Sequence, residues 1–402
     1  MCLCFIYFTS HPNSKIKFLI LFNREEFLKR PAESFGFHPI DGLKQNYLLY
    51  PLDVPTKGTY LSLNTKNGNF SFLLNNSLKS NSYNVNCRLK RGSLPLEFCK
   101  LDDQENNWNI FFEKLNKDKA EYNGFNIICG NFKNRIVKYY TNNSEDIKFN
   151  SENLVKNNYK NVQFGIFDKI NCFNSIEEIN KNENEKSCIN ELINPITKNE
   201  YLNFDCNVPL SLKEDKVYVI SNSFIFDGDK RVNFGGKIFK QILEEKCYLF
   251  SNNGDCSGNN EKDSLGNQDN EVSCEDLDNK TINTQNDFDI EKFVKTFFSD
   301  LLGNTEKLES NRDEVVQIIK TDKNWATNAI VDDYVSSSLF IKDKIDEFYI
   351  EYGTRNSHAI ILDNENCIKI YNIDDKVIEE NGRLTKRKRD LEIDVEKMKF
   401  KL

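Results

Sequence analysis

Histidine is scarce in this sequence, and its cysteines never occur at the C-x-x-C spacing. The chain has 3 histidines in 402 residues, and its 12 cysteines are scattered along its length. Structural zinc sites need four closely spaced thiolate or imidazole ligands, and disulfide frameworks are typical of short secreted chains. The sequence therefore predicts free thiols in a reducing compartment and no metal site.

Nucleotide-binding, zinc-protease and membrane-spanning signatures are also missing. The chain contains no G-x-G-x-x-G, no G-x-x-x-x-G-K-[ST] and no H-E-x-x-H motif, which excludes the Rossmann, P-loop and zincin classes. No stretch approaches the roughly 20 apolar residues that a membrane-spanning helix needs. The apolar run over residues 3–8 is too short for a signal-peptide core and has no basic residue before it. We therefore expect a cytoplasmic protein.

Net positive charge is lacking as well. The formal net charge is -8, and a nucleic-acid-binding protein needs a basic face that displaces counterions. The sequence thus predicts no nucleic-acid partner. One basic run, KRKR at residues 386–389, favours a solvated tail or helix face, with a localisation signal as the open alternative.

The chain is predicted to form one domain with polar insertions. Its hydrophobic content of 39% is low for a fully packed chain of this length, so part of it is expected to lie outside the core. We assign residues 1–375 to a single domain interrupted at about 150–205 and 251–287. The second insertion is polar, acidic and rich in glycine and asparagine. Residues 376–402 are predicted to be a charged C-terminal tail.

Hydrophobic periodicity predicts hairpins and amphipathic helices. Residues 2–8 and 16–22 form a predicted strand hairpin with little alternation, so both faces are expected to be covered. Asn67-Gly68 marks the turn of a second hairpin. Helical spacing is clearest in the apolar residues at 290–302. Paired hairpins with helices between them suit two stacked antiparallel sheets between helix layers, although periodicity alone supports only a mixed α+β fold.

The motif Asn-Arg-Glu-Glu at residues 23–26 follows the predicted second strand, in a chain that opens Met1-Cys2. A cysteine exposed by removal of Met1 carries a nucleophile and a base, the free α-amine, on one residue. An arginine such as Arg24 can hold a thiolate or a substrate carboxylate. Alternatively, Cys2 is a small buried apolar residue of the first strand, and the motif is a structural ion pair.

This motif and the segments that follow it resemble the NRDE family, the transport and Golgi organisation protein 2 family. The family's signature is Asn-Arg-Asp-Glu, and here it is followed by Phe27, Arg30 and Pro31. The matching segments appear in the family's order as KGTYLSLN, FSFLLNNS, KRGSL, YNGFNIICG, YVISNS and YGTRNSHAIILD. This sequence departs from the pattern at Glu25, Tyr60 and Asn75, where the family has Asp, Trp and Thr.

The resemblance implies the four-layer αββα sandwich of the N-terminal nucleophile hydrolases. It also implies a set of catalytic side chains, namely Cys2, Arg24, Glu26, Asn76 and Asn222. Cys2 is the implied nucleophile, Arg24 and Glu26 follow the second strand, and the two asparagine side chains lie at strand ends as oxyanion donors.

A second set of residues is expected to bind a ligand, namely Arg24, Glu25, Tyr60 and Arg355. Arg355, in the predicted turn Gly353-Thr354-Arg355, can bind a carboxylate or phosphate bidentately. Family resemblance implies a role in Golgi organisation, protein secretion and haem or lipid homeostasis through a small hydrophobic acid, haem or an acyl-CoA. Haem is a candidate cargo, for which His358, Cys2 and Cys4 are candidate iron ligands. Peripheral membrane association, at the Golgi or at mitochondria, is also expected.

Two functions therefore stay open from the sequence. The first, which the resemblance favours, is a non-catalytic or weakly catalytic binding protein for the hydrophobic carboxylated ligand. The second is a cysteine amidohydrolase that cleaves a non-peptide C–N or acyl bond through Cys2.

Overall fold

The fold is taken from a computed structural model of the chain. It describes residues 2–12, 14–38, 47–76, 87–102, 104–142, 166–167, 207–222, 230–245, 290–303, 317, 344–345, 348–349, 352–374, 377–380, 383–386 and 395–402. The strands are β1 (Leu3–Phe8), β2 (Ile16–Phe27), β3 (Ala32–Gly36), β4 (Leu48–Asp53), β5 (Leu61–Asn64), β6 (Asn69–Asn75), β7 (Phe125–Asn131), β8 (Ile136–Thr141), β9 (Ile166–Phe167), β10 (Leu210–Ser211), β11 (Val217–Ile220), β12 (Lys344–Ile345), β13 (Phe348–Tyr349), β14 (Tyr352–Asp363), β15 (Cys367–Asp374), β16 (Val377–Glu380), β17 (Arg383–Lys386) and β18 (Val395–Lys401). The helices are α1 (Leu94–Cys99), α2 (Glu105–Asp118), α3 (Lys230–Glu245) and α4, which covers residues 290–296 and ends in a π-helical turn over Phe297–Leu301.

Most of the described strands belong to two antiparallel sheets. Sheet I has the order β18-β15-β14-β2-β1-β11-β9, and sheet II has the order β10-β8-β7-β6-β5-β4-β3. The predicted hairpins are confirmed, since β1 pairs with β2 and β5 pairs with β6. Gly68 has a φ of 84° in the β5–β6 turn, a conformation that glycine adopts without steric cost. The α+β class with two antiparallel sheets is thus confirmed.

In the part of the chain that the structure describes, the buried side chains form three clusters, one between the sheets and one on the outer face of each sheet. Cys4, Ile6 and Phe8 of β1 point towards sheet II and pack with its apolar side chains. Leu3, Phe5 and Tyr7 lie on the other face of β1 and pack against α3 and α4. The third cluster joins α1 and α2 to the outer face of sheet II. Successive side chains of a strand point to opposite faces, so β1 is apolar throughout because both its faces are covered.

Two predicted positions differ from the structure. The NREE motif lies inside β2 instead of after it, because β2 continues to Phe27 in order to pair with β14. The segment Gly353-Thr354-Arg355, expected to be a turn, is part of β14. A register shift between Thr354 and Asn356 there marks a bulge at Arg355.

The predicted C-terminal tail also differs, since β18 lies within it and pairs with β15 at the edge of sheet I. Met398, Phe400 and Leu402 recur at a spacing of two and pack against the core between the sheets, which accounts for this strand. The domain limits as such stay a prediction. Of the expected insertion at 150–205, residues 166–167 form β9. The insertion at 251–287 and residues 387–389 of the basic run lie outside the described residues.

A buried ion pair fixes α3 to sheet I. Nη1 of Arg231 lies 3.0 Å from Oε2 of Glu25, and both side chains are 0% exposed. Glu25 thus points to the helix side of β2, away from the other sheet. None of the helices in the described residues is long and apolar enough to cross a membrane.

We predict that Arg231→Met destabilises the protein strongly, because it leaves the Glu25 carboxylate buried without this cation. The expected loss is about 3–5 kcal/mol in the free energy of unfolding, measured by urea denaturation. The double variant Glu25→Gln/Arg231→Met should recover part of the loss. As a control, Glu244→Gln breaks the partly exposed pair with Lys240 and should cost about 0.5 kcal/mol or less. Equal losses for Arg231→Met and Glu244→Gln would contradict the prediction.

Candidate functional site

Cys2 lies between an arginine and an asparagine on the neighbouring strands of sheet I. Leu3 pairs with Asn23 of β2, and Cys4 pairs with Ile220 of β11. When this register is continued to the start of the chain, Cys2 stands opposite Arg24 on one side and Asn222 on the other. The backbone N–H of Cys2 donates to Oδ1 of Asn222 at 2.8 Å. The structure thus brings together three of the predicted catalytic residues.

The Cys2 thiol is shielded from solvent. Its residue is 8% exposed and faces the space between the sheets. Burial raises the pKa of the Cys2 thiol and the Glu25 carboxylate adds to the rise, whereas the amino terminus, a backbone hydrogen bond from Glu25 and the Arg24 guanidinium lower it. The net shift is upwards, so a nearby base is needed for the thiolate to form at neutral pH.

Asn76 approaches the site from sheet II through an asparagine network. Its Nδ2 donates to Oδ1 of Asn126 at 3.2 Å and to Oγ1 of Thr141 at 3.3 Å. Asn126, which is fully buried, donates in turn to the carbonyl oxygen of Ser221 at 3.1 Å. Ser221 directly precedes Asn222, so this network links the two predicted oxyanion donors. Asn126 was not among the residues predicted from the sequence, although a single polar residue in the apolar strand FNIIC was a usable signal.

Arg24 is held on several sides at once. Its Nη1 donates to Oδ1 of Asn356 at 3.2 Å. Its Nη2 lies 3.6 Å from Oδ1 of Asp53 and 3.7 Å from Oε2 of Glu26. The guanidinium carbon lies 5.1 Å from the centre of the Tyr60 ring, within cation–π range. Arg24 and Glu26 therefore lie together in a fixed and charge-compensated arrangement.

Asp53, which sequence analysis did not single out, carries the second anion of this group. Arg30 binds its carboxylate bidentately, with Nε at 2.7 Å from Oδ1 and Nη2 at 2.8 Å from Oδ2. Burial raises the pKa of Asp53, but hydrogen bonds from Arg30 and Thr56 and the charges of Arg30 and Arg24 outweigh it, so the pKa is lowered. Asp53 thus joins the end of β4 in sheet II to the turn after β2 in sheet I.

Tyr60 belongs to an aromatic group between the sheets. Its hydroxyl lies 2.8 Å from Nε2 of His358, which is fully buried. The rings of Phe22 and Phe35 lie 5.5 Å from Tyr60 and 5.3 Å from His358, respectively. Burial raises the pKa of Tyr60 well above its ordinary value, so its hydroxyl is neutral. For His358 to bind iron through Nε2, this atom would first have to release its hydrogen bond with the Tyr60 hydroxyl.

Arg355 holds the turn that follows β2. Its Nη1 donates to the carbonyl oxygens of Phe27 at 3.1 Å, Leu28 at 2.8 Å and Arg30 at 3.3 Å. A ligand-binding role for Arg355 stays a prediction. To bind a ligand through Nη1, its guanidinium would first have to release these backbone carbonyl oxygens. Glu25, also predicted to bind a ligand, is engaged with Arg231 on the helix side. Within the described residues, no group of three or more side chains is arranged to hold a metal ion.

These features define an α+β protein with a cysteine near its N-terminus, flanked by arginine and asparagine between two antiparallel sheets. The family model described as Transport and Golgi organisation 2 matches residues 1–374. The chain therefore belongs to the Transport and Golgi organisation 2 family, a family related to transport and the Golgi, which confirms the resemblance seen in its motifs. No curated protein matches the chain.

We predict that Asn126→Leu destabilises the protein, because it removes the hydrogen bonds to Asn76, Ser221 and Tyr139 from a buried position. The expected loss is at least about 2 kcal/mol in the free energy of unfolding, measured by urea denaturation. Tyr139→Phe, which removes only the bond of 2.9 Å from its hydroxyl to Asn126, should cost about 1 kcal/mol. If Asn126→Leu cost no more than Tyr139→Phe, the network would not be cooperative.

Proposed function

We propose that Cys2, once Met1 has been removed, is the nucleophile of an amidohydrolase that acts on a non-peptide C–N or acyl bond. The observation that carries this proposal is the hydrogen bond of 2.8 Å from the Cys2 nitrogen to Oδ1 of Asn222, next to Arg24 on the opposite strand. In an N-terminal nucleophile, this nitrogen is the base. An acceptor that fixes its position serves such a role directly.

The proposed reaction uses the side chains around Cys2 in distinct roles. The free α-amine takes the thiol proton, and the thiolate attacks the carbonyl carbon of the substrate. The C–N bond then breaks, and the amine leaves with the proton from the α-ammonium group. Water attacks the resulting thioester, releases the carboxylic acid and regenerates the thiol. Oδ1 of Asn222 accepts a hydrogen bond from the α-amine and orients it. The Nδ2 group of Asn222 then donates to the oxyanion.

Arg24, Glu26 and Asn76 support this reaction from the surrounding positions. Arg24 stabilises the thiolate electrostatically, and Glu26 holds the guanidinium from 3.7 Å. The side chain of Asn76 donates to Asn126 and Thr141. We therefore assign Asn76 the role of fixing the asparagine network, and Asn222 the role of donating to the oxyanion. The helices on the outer faces of both sheets support the αββα layering of an N-terminal nucleophile hydrolase as part of this proposal.

The second candidate function is binding of a hydrophobic carboxylated ligand, haem or an acyl-CoA, in support of Golgi organisation and secretion. It is favoured by the Arg24 guanidinium over the Tyr60 ring, next to Phe22. A cation beside an aromatic wall suits an acid with a large apolar body. This function ranks second because Glu26 and Asp53 compensate the charge of Arg24. The guanidinium of Arg355 is also engaged, by backbone carbonyl oxygens.

The first candidate predicts that Cys2 reacts faster when its amine is free. A cleavable leader placed before Cys2 gives two matched proteins, with the leader retained or removed. The nearby ammonium lowers the thiol pKa, and each pKa unit changes the thiolate fraction about tenfold below the pKa. We expect at least about tenfold faster alkylation of Cys2 by iodoacetamide at neutral pH after leader removal, located by peptide mass spectrometry. The rate profile should shift to lower pH.

Cys4→Ser and Cys2→Ser are the matched variants, because Cys4 lies two residues further along the same face of β1. Cys4→Ser should retain the effect of leader removal. Cys2→Ser should abolish both the label and a covalent thioester with an activated acyl ester. Equal alkylation rates with and without the leader would refute Cys2 as an N-terminal nucleophile.

The second candidate predicts a different pattern. If the site binds haem or a long-chain acyl-CoA through its carboxylate or phosphate, Arg24→Gln should weaken the affinity by about 1.5–3 kcal/mol, the usual loss for a charge-assisted contact. Cys2→Ser should leave the affinity unchanged. Isothermal titration with each ligand measures this, and Lys114→Gln on the outer helix α2 serves as control. Unchanged affinity in Arg24→Gln would reject this site for the ligand.

A further inference from the structure

The end of both sheets that lies opposite Cys2 is built from turns. Cys2 precedes the start of β1, and β1 ends at Phe8, so residues 9–12, 14 and 15 between β1 and β2 lie at the far end of the strand. Turns 213–216 and 364–366 and the chain segment 399–402 lie at the same end of sheet I, and turns 64–68 and 132–135 share one end of sheet II, by the antiparallel registers. These two ends lie together, since the ring centres of Phe18 in β2 and Phe132 are 5.2 Å apart. We call this surface the basic end.

Contacts between the sheets hold the basic end together. Nε of Arg135, in sheet II, lies 3.2 Å from Oε1 of Glu214, which precedes β11 of sheet I. The side chain of Leu402 lies against Gly68, where an added Cβ would be 3.4 Å from it. Nζ of Lys133 donates to the carbonyl oxygen of Lys66 at 3.2 Å. The turns are therefore neighbours in space and form one continuous surface.

Cations dominate this surface although the whole chain has a net charge of -8. They come from several turns and strand ends, namely Lys15, Lys17, Lys66, Lys133, Arg135 and Lys401. Lys66, Lys133, Arg135 and Lys401 are exposed. Turn 213–216 adds no net charge, because it contains two lysines, a glutamate and an aspartate, and Glu365 is the other acidic side chain of the named turns.

Burial and one neighbouring cation act on the pKa of Lys17. Burial lowers the pKa of Lys17, and the charge of Arg135 lowers it further, against an opposing effect of Glu214. The Cys2 end differs, since there Arg24 and Arg30 are matched by Glu26 and Asp53. At the basic end, Glu214 matches Arg135, but the lysines of the named turns and of segment 399–402 outnumber the acidic side chains there.

An exposed aromatic ring borders the basic end. Phe37 is 47% exposed, and its ring lies 6.0 Å from that of Phe400. Phe400 stands between Lys399 and Lys401 in β18, whose side chains are exposed. A large apolar ring beside lysines spread over a broad surface suits the interface of a bilayer, where the ring enters the headgroup region and the cations meet anionic lipids. A long nucleic acid would instead meet the negative charge of the rest of the chain.

We propose that the basic end docks the protein on an anionic lipid surface, with Phe37 inserted at the interface and Lys66, Lys133 and Lys401 on lipid headgroups. This gives the expected peripheral membrane association a specific surface. The Cys2 end then points away from the bilayer. The proposal does not depend on Cys2 chemistry, so either can fail without the other.

Co-sedimentation of the full chain with vesicles tests this surface. The vesicles are phosphatidylcholine alone or with about one-third phosphatidylserine, a composition with a negative surface potential. We expect binding only to the anionic vesicles, and release as salt shortens the screening length. Each cation near such a surface is worth about fivefold in affinity, so Lys66→Gln/Lys133→Gln/Lys401→Gln should bind about a hundredfold more weakly. Phe37→Ala should weaken binding several-fold without changing its salt dependence.

The matched control is Lys90→Gln/Lys114→Gln/Lys117→Gln, which removes the same charge from exposed lysines that precede α1 and lie on α2. It should bind like the unmodified chain. An equal loss of vesicle binding in both triple variants would show that binding depends only on net charge, and it would overturn the proposal. Failure to bind anionic vesicles at low salt would also overturn it. Binding to soluble heparin that depends on the three lysines, without vesicle binding, would assign the surface to an acidic macromolecule instead.

Discussion

The antiparallel register of β1 between β2 and β11 is the constraint on which the candidate site depends. Backbone hydrogen bonds set this register, and the alternation of side chains then decides which residues meet between the sheets. A slip of one residue would turn Cys2 towards the helices and bring Leu3 into the polar end. The apolar side chains of β1 on both faces oppose such a slip, so packing far from Cys2 fixes its neighbours.

Charge compensation explains how a polar site is tolerated at the end of an apolar sandwich. Arg24 enters the space between the sheets, where an isolated cation would be costly. Asp53 from sheet II and Glu26 from the same strand supply opposite charge, and Asn356 supplies a hydrogen-bond acceptor. The same contacts tie the two sheets together at this end. Stability and the geometry around Cys2 are therefore coupled through one group of side chains.

Periodicity and turn chemistry predicted the local elements well. The β1–β2 hairpin, the Asn67-Gly68 hairpin and the helical pattern at 290–302 each rest on residues close in sequence, and each is confirmed. The strand β18 was missed because lysines alternate with its apolar residues and raise the charge of the segment. The extension of β2 was missed because a charged motif rarely continues a buried strand.

The sequence by itself determined the family, through motifs that follow one another along the chain, and the candidate roles of Cys2, Arg24 and Asn222. Only the tertiary structure decided which partners these residues have. Arg231 meets Glu25 across 206 residues, and Asn126 reaches the residue before Asn222 across 95. Such contacts depend on strand order and sheet packing, which local patterns do not encode, because the free energy that selects them comes from burial over the whole domain.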